Sequence, residues 1–333
     1  AVLLADIDEQ ALRLAPAGIE TAEIGFSLRT WLERSLAGAD AVVCAAPAST
    51  APEIAAVARQ CGCHYLDTIE DTRTALQVAE IAAGATGVFV PGCGLAPGLV
   101  GALTREAAAD AGPSTELTVY IGVLPCEPKG RLGYADFWGI DGLLSEYTGE
   151  CLAIRDGRAV SLAPLAEHET CHIAGWDLEA FTTAGTLDGL VPDLAGRIGA
   201  LTFKTLRTRG HLDYIRFLIE DMGLGSRLYQ LKNLLLNALP QGECDRVFIQ
   251  IARRDGPDAP ARTWTWTLAA SGAAGGHLAI SLVTAAHLAS VLDGIFSGAG
   301  GGSGLVRADG FGLDALARSP FFPPLPPGVS LAG

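Results

Sequence analysis

The hydrophobic pattern of the chain divides near residue 113 into two parts. Over residues 1–112, short apolar runs alternate with segments whose apolar residues recur at helical spacing. Strands that alternate with amphipathic helices predict a parallel, doubly wound α/β sheet. The predicted strands are "VLLAD" (2–6), "AEIGFS" (22–27), "ADAVVCAAP" (39–47), "CHYLDT" (63–68) and "TGVFVPGCG" (86–94). The predicted helices between and after them cover residues 27–38, 51–62, 71–84 and 96–112.

Beyond residue 113 the pattern becomes that of half-buried antiparallel strands, in which apolar and polar residues alternate with period two. Helical patterns lie between these strands, so this part of the chain is predicted to be a mixed α+β domain. The predicted strands are 117–125, 246–255 and 262–270, and the predicted helices are 211–224, 226–239 and 278–296.

The two patterns predict two domains. We expect the helix at 278–296 to return to the first domain. Residues 1–113 and 278–333 would then form a dinucleotide-binding domain, and residues 114–277 a domain for substrate binding and oligomerisation.

Composition narrows the class of protein. The chain has 333 residues, of which 49% are hydrophobic and 18% charged, and its formal net charge is −14. An acidic chain without a basic face is not expected to bind nucleic acid. The longest apolar run, residues 277–296, is interrupted by Ser, Thr, His and Asp, so we expect no membrane span. These features are typical of a cytoplasmic protein.

The cysteines are read as reduced thiols, since they are scattered through a large chain and several lie in apolar runs. Their positions are 44, 61, 63, 93, 126, 151, 171 and 244. Two short clusters, "CGCH" (61–64) and "HETCH" (168–172), could hold a metal. Neither has the usual zinc spacing, and apolar thiols beside ordinary histidines explain them equally simply. We therefore expect no metal.

Asp6 ends the first apolar run and could bind the hydroxyl groups of an adenosine ribose. The alternative is a helix N-cap, a role that is also open to Asp8. A ribose-binding acid normally follows a strand and a glycine loop by about 20 residues, whereas five residues precede Asp6. We therefore expect the first strand and the glycine loop to be missing, so that the sheet is interrupted. Ile7 follows Asp6 where an Arg would favour a 2′-phosphate, so NAD is expected rather than NADP.

Small residues follow two of the later predicted strands. Ala45, Ala46 and Pro47 form the small-residue loop that ends the segment 39–47, and Gly94 and Ala96 lie in the turn at the end of the segment 86–94. Ligands of doubly wound sheets bind at the carboxyl ends of strands, so both turns are candidate cofactor contacts. A simple helix cap and a structural turn are the respective alternatives.

Two segments of the second half contain candidate substrate-binding groups. "FKTLRTRGH" (203–211) includes Lys204, Arg207 and His211, and we place it at the mouth of a helix. Arg can hold a carboxylate with two parallel hydrogen bonds, and the pKa of His suits proton transfer. A solvated basic turn is the alternative. "LGYADFWGIDGLLSEYTGE" (132–150) could form a substrate wall or could be ordinary aromatic packing. Its candidate residues are Tyr134, Asp136, Trp138 and Tyr147.

Four motifs in this order resemble the saccharopine dehydrogenase-like family, and most closely its lysine 6-dehydrogenase branch. They are "GCGLAPG" (92–98), "GLLSEYTGECLAIRDG" (142–157), "LEAFTT" (178–183) and "KTLRTRGH" (204–211). The resemblance implies an interrupted Rossmann domain, a mixed substrate domain, a homo-oligomer and NAD-dependent oxidation of an amine. The chain differs from the family pattern in one respect, since no counterpart of the glycine loop is found. The alternatives are reductive amination and a non-catalytic nucleotide-binding protein.

The resemblance also implies roles for the candidate residues. Asp6 would bind the ribose, the turn at 92–98 would lie near the nicotinamide, and Arg207 and His211 would lie on the substrate side. The chemistry of the residues then gives their expected individual roles. Arg207 would anchor the carboxylate of an amino-acid substrate, supported by Lys204 and Trp138. His211 would transfer a proton, and Tyr134 and Asp136 would contact the amine.

Overall fold

The computed structural model of the protein describes residues 1–25, 27–272, 276–298 and 301–322. These residues form three β-sheets with helices packed around them. Phe26, at the end of a predicted strand, and residues 323–333, at the end of the predicted first domain, lie outside the described residues.

The first third of the chain alternates between parallel strands and helices, as the apolar pattern predicts. The strands are β1 (Leu3–Asp6), β2 (Glu20–Glu23), β3 (Ala41–Cys44), β4 (His64–Asp67) and β5 (Val88–Val90). The helices are α1 (Glu9–Leu12), α2 (Leu28–Ser35), α3 (Ala51–Cys61), α4 (Thr72–Ala82) and α5 (Val100–Ala107).

These parallel strands fall into two separate sheets. β1 pairs with β2, while β3, β4 and β5 pair in sequence order. In a doubly wound sheet of strand order 3-2-1-4-5-6, the first strand would lie between β1 and β3. The split therefore agrees with the predicted interruption of the sheet.

The middle of the chain forms an eight-stranded mixed sheet. Its strands are β6 (Thr115–Pro125), β7 (Cys151–Arg155), β8 (Arg158–Leu162), β9 (Glu169–Ile173), β10 (Trp176–Thr182), β11 (Ala200–Thr208), β12 (Cys244–Asp255) and β13 (Arg262–Ser271). The main order is β13-β12-β6-β11-β10-β9, and β7 joins β11 to β8. The pair β6–β11 is parallel, and the other pairs are antiparallel. Its helices are α6 (Ile140–Thr148), α7 (Val191–Leu194), α8 (His211–Arg216) and α9 (Leu228–Ala238).

The C-terminal segment returns to the parallel strands. It forms α10 (Ala279–Phe296), β14 (Gly304–Leu305) and α11 (Leu313–Ala317), and β14 pairs in parallel with β5. Helix α10 packs against β4 of one sheet and β12 of the other, so one apolar core joins both sheets. The division of the chain into two domains at residues 113 and 278 stays a prediction.

Helix α10 corrects one statement about the sequence. Its 18 residues have a mean hydropathy of 1.6, so the helix meets the length and composition of a membrane span, and one third of it is buried inside the protein. By length and composition alone, the Ser, Thr, His and Asp residues within 277–296 do not disqualify this segment, contrary to the argument from the sequence. Helix α10 contacts strands of both sheets, so part of its apolar surface packs within the fold.

A disulfide bond corrects a second expectation. Cys126 and Cys244, which were expected to be reduced, form a bond across the adjacent ends of β6 and β12. The two strands are antiparallel neighbours, and this brings residues 118 positions apart in sequence side by side. The other six cysteines are free thiols.

Candidate functional site

A cavity of about 1230 Å³ lies between the carboxyl ends of β3, β4 and β5 and one face of the mixed sheet. It brings together seven residues selected from the sequence: Ala45, Ala46, Pro47, Gly94, Ala96, Trp138 and Arg207. The remaining five candidates, Asp6, Tyr134, Asp136, Lys204 and His211, are not among the residues that line it.

The turn after β3 enters α3 without the predicted side-chain cap. Pro47 is followed by one 3₁₀ turn, and Thr50 at the helix start makes no capping hydrogen bond to the helix. Instead, the Thr50 hydroxyl donates to the carbonyl oxygen of Pro47, 2.8 Å away. The backbone of residues 45–47 therefore faces the cavity with only small side chains around it.

The turn after β5 differs from the predicted start of a helix. Residues 95–99 form an irregular turn in which Ala96 has an extended backbone (φ −138°, ψ 129°), and α5 begins only at Val100. Gly98 is required by its surroundings, because a Cβ atom there would lie 2.5 Å from the ring of His287 and 2.9 Å from the carbonyl oxygen of Gly92. Close packing beneath the turn thus fixes the position of Gly94 and Ala96.

Asp67 positions both the loop after β4 and the turn after β5. Its buried carboxylate accepts hydrogen bonds from the Ile69 and Gly92 amides, at 3.0 and 2.8 Å, and from the Tyr65 hydroxyl at 2.8 Å. Burial raises its pKa, which these hydrogen bonds oppose. The sequence analysis did not select Asp67, although an Asp at the end of a buried strand in this fold is a recognisable signal.

Arg207 extends from β11 towards the cavity and is buried. Its Nε donates to the Tyr147 hydroxyl at 2.8 Å, its Nη1 donates to the Leu206 carbonyl at 3.0 Å, and its Nη2 donates to Glu146 at 3.1 Å. The guanidinium also lies 4.9 Å from the ring centre of Tyr134. A guanidinium has five N–H donors, so two remain uncommitted within the described part of the chain.

His211 lies behind Arg207 and Tyr147 rather than on the cavity wall. Its Nδ1 is 2.7 Å from the Leu132 carbonyl oxygen, which can only accept, so Nδ1 carries the proton. Its Nε2 is 2.8 Å from the Tyr147 hydroxyl. Burial and the charge of Arg207 lower the pKa of His211 to about 3. Since both ring nitrogens are engaged, the geometry favours a positioning role over the expected proton transfer.

The aromatic segment contains one cavity residue and two supporting residues. Trp138 lines the cavity, and its Nε1 donates to the Tyr134 hydroxyl at 2.9 Å. Tyr134 is buried beneath Arg207, and burial raises its pKa to about 12. Asp136 accepts a hydrogen bond from the Gly139 amide at 3.0 Å and so stabilises the turn that leads to Trp138. Both alternatives considered for this segment, a cavity wall and aromatic packing, are therefore realised.

Lys204 is directed away from Arg207. Residues 203–208 continue β11, which corrects their expected place at the mouth of a helix. Because side chains alternate along a strand, Thr205 and Arg207 line the cavity while Lys204 lies on the opposite face. Its Nζ donates to the Glu167 carbonyl and to Glu169, both at 2.8 Å. The expectation that Lys204 lies beside Arg207 in the site is wrong.

Asp6 lies at the carboxyl end of β1, as its predicted ribose-binding role requires. Its carboxylate accepts a hydrogen bond from the Asp8 amide at 2.9 Å. Asp8 is the residue that caps α1, through a 2.8 Å hydrogen bond from Gln10. The N-cap alternative for Asp6 is thus taken by Asp8.

Two glutamates of the cavity were missed by the sequence analysis. Glu146 is buried and paired with Arg207, and burial raises its pKa. Glu70 accepts a hydrogen bond from the Thr186 hydroxyl at 2.9 Å. Burial, followed by the negative charge of Glu146, raises the pKa of Glu70 to about 8.

The two metal-candidate segments are occupied by other contacts. The Nδ1 atom of His64 accepts a hydrogen bond from the Val88 amide at 2.9 Å, and His172 contacts Asp177 at 3.0 Å. Within residues 1–25, 27–272, 276–298 and 301–322, no three His, Cys, Asp or Glu side chains form a group that could hold a metal.

Comparisons with known proteins place the fold. No protein-family model matches the chain. The structure is similar to apo saccharopine dehydrogenase (L-Glu forming) from Saccharomyces cerevisiae, with a TM-score of 0.73, 16% identity, and coverage of 95% of this chain and 89% of the other. It is also similar to homospermidine synthase from Legionella pneumophila in complex with NAD, with a TM-score of 0.65, 13% identity, and coverage of 97% and 84%.

Identities this low establish the fold alone. They confirm the predicted α/β architecture, with a Rossmann-type parallel sheet and a mixed sheet. The family resemblance inferred from the four motifs agrees with these structures at the level of the fold, and the lysine 6-dehydrogenase branch stays a prediction.

Proposed function

We propose that this protein is an NAD-dependent oxidoreductase that acts on an amine. In its specific form, the proposal is oxidative deamination of the terminal amine of an amino acid, with L-lysine as the substrate. The resulting imine would hydrolyse to an aldehyde and release ammonia.

The observation that carries the proposal is the single cavity shared by the two sheets. Turns at the carboxyl ends of β3 and β5 meet Trp138, Glu146 and Arg207 of the mixed sheet domain within it. In doubly wound folds this edge of the sheet is where dinucleotides bind. A substrate held by the mixed sheet would therefore lie beside the reactive end of a bound dinucleotide, which is the arrangement that hydride transfer needs.

The residues at the sheet edge fit NAD. Asp6 at the end of β1 would accept hydrogen bonds from the adenosine ribose, and the turns at 45–47 and 94–96 would face the nicotinamide half through small side chains. The homospermidine synthase structure of the same fold is a complex with NAD. When bound, NAD supplies the hydride acceptor for the amine-bearing carbon.

The charges of the cavity fit a cationic substrate that also has one carboxylate. Six acidic residues and two arginines line it. The two uncommitted N–H groups of Arg207 match the two oxygens of a carboxylate, whereas the acidic majority favours ammonium groups. L-lysine has two ammonium groups and one carboxylate.

We further propose a cytoplasmic homo-oligomer that binds a small amino-acid substrate and neither nucleic acid nor membrane. Exposed apolar side chains on α9 support association, among them Tyr229, which is 77% exposed, and Leu236, which is 50% exposed. The net charge of −14 opposes binding to nucleic acid.

The second candidate is the reverse chemistry, reductive condensation of an amine with a carbonyl compound, as in saccharopine or carboxynorspermidine formation. The acidic cavity favours it equally, since it would also suit a polyamine. A third candidate is a nucleotide-binding protein without catalysis.

The test uses the full-length protein with NAD and L-lysine, monitored by absorbance of the reduced nicotinamide and by an ammonia assay. Release of one ammonia per hydride transferred supports the deaminase. Formation of a secondary amine from an amine, a carbonyl compound and reduced cofactor supports the second candidate. Binding of NAD without turnover of amino acids, diamines or polyamines in either direction supports the third.

A further inference from the structure

Glu70 is an acidic residue at the sheet edge where the cofactor is expected to bind. It lies three residues beyond Asp67, in the loop after β4, and lines the cavity between the turns at 45–47 and 94–96. Asp67 holds this loop through the Ile69 amide. The carboxyl group of Glu70 is therefore presented to the cavity from the sheet edge at which the cofactor is expected.

Glu70 is half-buried, and unlike the buried Glu146 it has no basic partner. Arg207 contacts Glu146 at 3.1 Å, and three of its five donors are already committed. Glu70 instead receives one hydrogen bond, from Thr186, and its Oε2 atom makes none to the part of the chain that the structure describes. One carboxyl oxygen is thus free to contact a ligand.

The charges around Glu70 favour a neutral carboxyl group when no ligand is bound. Glu146 of α6 and Asp188 of the loop before α7 face it and raise its pKa, while Arg207 of β11 and the Thr186 hydroxyl lower it. With burial as the largest cause, the pKa reaches about 8. A cation that enters the cavity would lower the pKa of the Glu70 carboxyl group, and Glu70 would then lose its proton.

We propose that Glu70 is the catalytic residue that binds the ammonium group of the substrate and accepts its proton before hydride leaves. This inference rests on the proposed oxidation of an amine. A proton leaves nitrogen for the Glu70 carboxylate, so that the nitrogen lone pair becomes available. The C–H bond on the adjacent carbon then breaks, with its electron pair going to NAD as hydride, and the carbon–nitrogen bond becomes double. Water adds to this iminium group and ammonia leaves.

A glutamate with a raised pKa suits this step. An alkylammonium group has a pKa of about 10.4, and an ordinary glutamate of about 4.3, a mismatch of roughly six units. The surroundings that raise the pKa of Glu70 in the free protein oppose the fall in pKa that a bound ammonium group causes, so the mismatch is smaller than for an ordinary glutamate.

The first experiment measures the pH dependence of kcat/KM for amine oxidation in the full-length protein. For the wild type we expect a rise that levels off near pH 8. Glu70→Gln is expected to lose at least ~100-fold at pH 8, and its rate should keep rising towards the pKa of the free amine. Glu80→Gln, an exposed acid on α4 outside the cavity, is the control. A Glu70→Gln variant that retains both the rate and the wild-type profile would overturn the proposal.

The Thr186→Val variant distinguishes a catalytic role of Glu70 from a structural role in which Glu70 only links the two sheets. The Thr186 hydrogen bond lowers the pKa of Glu70, so its removal should move the pH profile to higher pH with the plateau rate retained. If Glu70 only joins the two sheets, Thr186→Val and Glu70→Gln should lower the melting temperature alike and leave the shape of the profile unchanged.

A binding measurement without NAD distinguishes failure of this proposal from failure of the proposed function. Cadaverine is titrated into the protein at pH 7 by calorimetry in two buffers of different ionisation enthalpy. The wild type and Glu80→Gln should release close to one proton, and Glu70→Gln none. Proton release that depends on Glu70, without any turnover, would support the proposed ammonium site and reject the proposed oxidoreductase function. Turnover accompanied by proton release that does not depend on Glu70 would reject the ammonium site and retain the oxidoreductase.

Discussion

The buried hydroxyl of Tyr147 donates its hydrogen to the Nε2 atom of His211, 2.8 Å away. The direction follows from the other side of the ring, where Nδ1–H donates to the Leu132 carbonyl oxygen. The Tyr147 oxygen is then free to accept from the Nε of Arg207. One hydroxyl thus fixes both the tautomer of the imidazole and the orientation of the guanidinium.

Removal of this hydroxyl should be costly. Tyr147→Phe leaves His211 Nε2 and Arg207 Nε without partners in a buried site, at about 1–3 kcal/mol for each group. We expect the free energy of unfolding, measured by urea denaturation, to fall by about 2–6 kcal/mol. Tyr134→Phe is the matched control, since it removes only the acceptor of the Trp138 N–H and should cost less. Equal losses would contradict the network.

His287 is predicted to destabilise the protein in acid. It is fully buried on α10, and neither ring nitrogen has a hydrogen-bond partner among the described residues. Burial lowers its pKa to about 4, below the usual 6.5. The unfolded chain therefore binds a proton first as pH falls, and stability is lost between pH 6.5 and 4.

The test compares the wild type with His287→Leu, which keeps the volume of the side chain. Over that pH range the variant should lose about 3 kcal/mol less of its free energy of unfolding, as the linkage relation gives. It should also be the more stable protein at pH 7, because an unpartnered polar group has been removed. Urea denaturation at several pH values measures both, and parallel curves would show that His287 is charged or solvated in the folded protein.

Arg207→Lys should discriminate between substrates. Lys supplies a point charge in place of the planar fork, and the loss of a buried charge-assisted pair costs about 2–5 kcal/mol, roughly 30- to several-thousand-fold in kcat/KM. The loss should be large for L-lysine and much smaller for cadaverine, which has no carboxylate, while the Kd of NAD barely changes. Equal losses on both substrates would assign Arg207 to holding Glu146 and Tyr147 in place.

Asp6 should determine the choice of cofactor. Its carboxylate would repel a 2′-phosphate, so the full-length protein is expected to prefer NAD to NADP. Asp6→Ala should bring the kcat/KM values for the two cofactors closer together. If the ratio does not change, the ribose is bound elsewhere and Asp6 serves only the turn that includes Asp8.

The disulfide gives a simple chemical prediction. Under denaturing conditions without reductant, a thiol reagent should titrate six cysteines, and after reduction eight. A value of eight before reduction would restore the reading of all cysteines as thiols. The measurement requires protein that has been alkylated at the moment of lysis, so that later oxidation does not contribute.

Local periodicity was sufficient to predict most of the elements that position the site. The strand patterns at 39–47, 63–68 and 86–94 contain β3, β4 and β5, and the small residues after them reach the cavity as expected. The information is local, because a buried parallel strand and the loop at its carboxyl end are adjacent in sequence.

The sequence was less informative where side chains meet across the fold. Lys204 and Arg207 appear as one basic cluster, but an odd spacing within a strand directs them to opposite faces. Glu146 and Arg207 are 61 residues apart, and their pairing depends on where α6 packs. Glu70 looked like any loop glutamate, because the charged groups that shift its pKa, Glu146, Asp188 and Arg207, are more than 70 positions away in sequence. The pairing of Cys126 with Cys244 depends in the same way on strand order.

The Cys126–Cys244 bond also determines which parts of the chain can separate. The covalent ring it closes contains all of α6 to α9 and β7 to β11, and with them Glu146, Arg207 and His211. A protease that cuts once within this ring releases no fragment, since both cut ends stay attached through the disulfide. The substrate half of the site would remain tethered to β6 and to β12, the strand on which α5 and α10 pack, and could refold against the same cofactor half. Loss of the site by single cleavage would then require reduction as well.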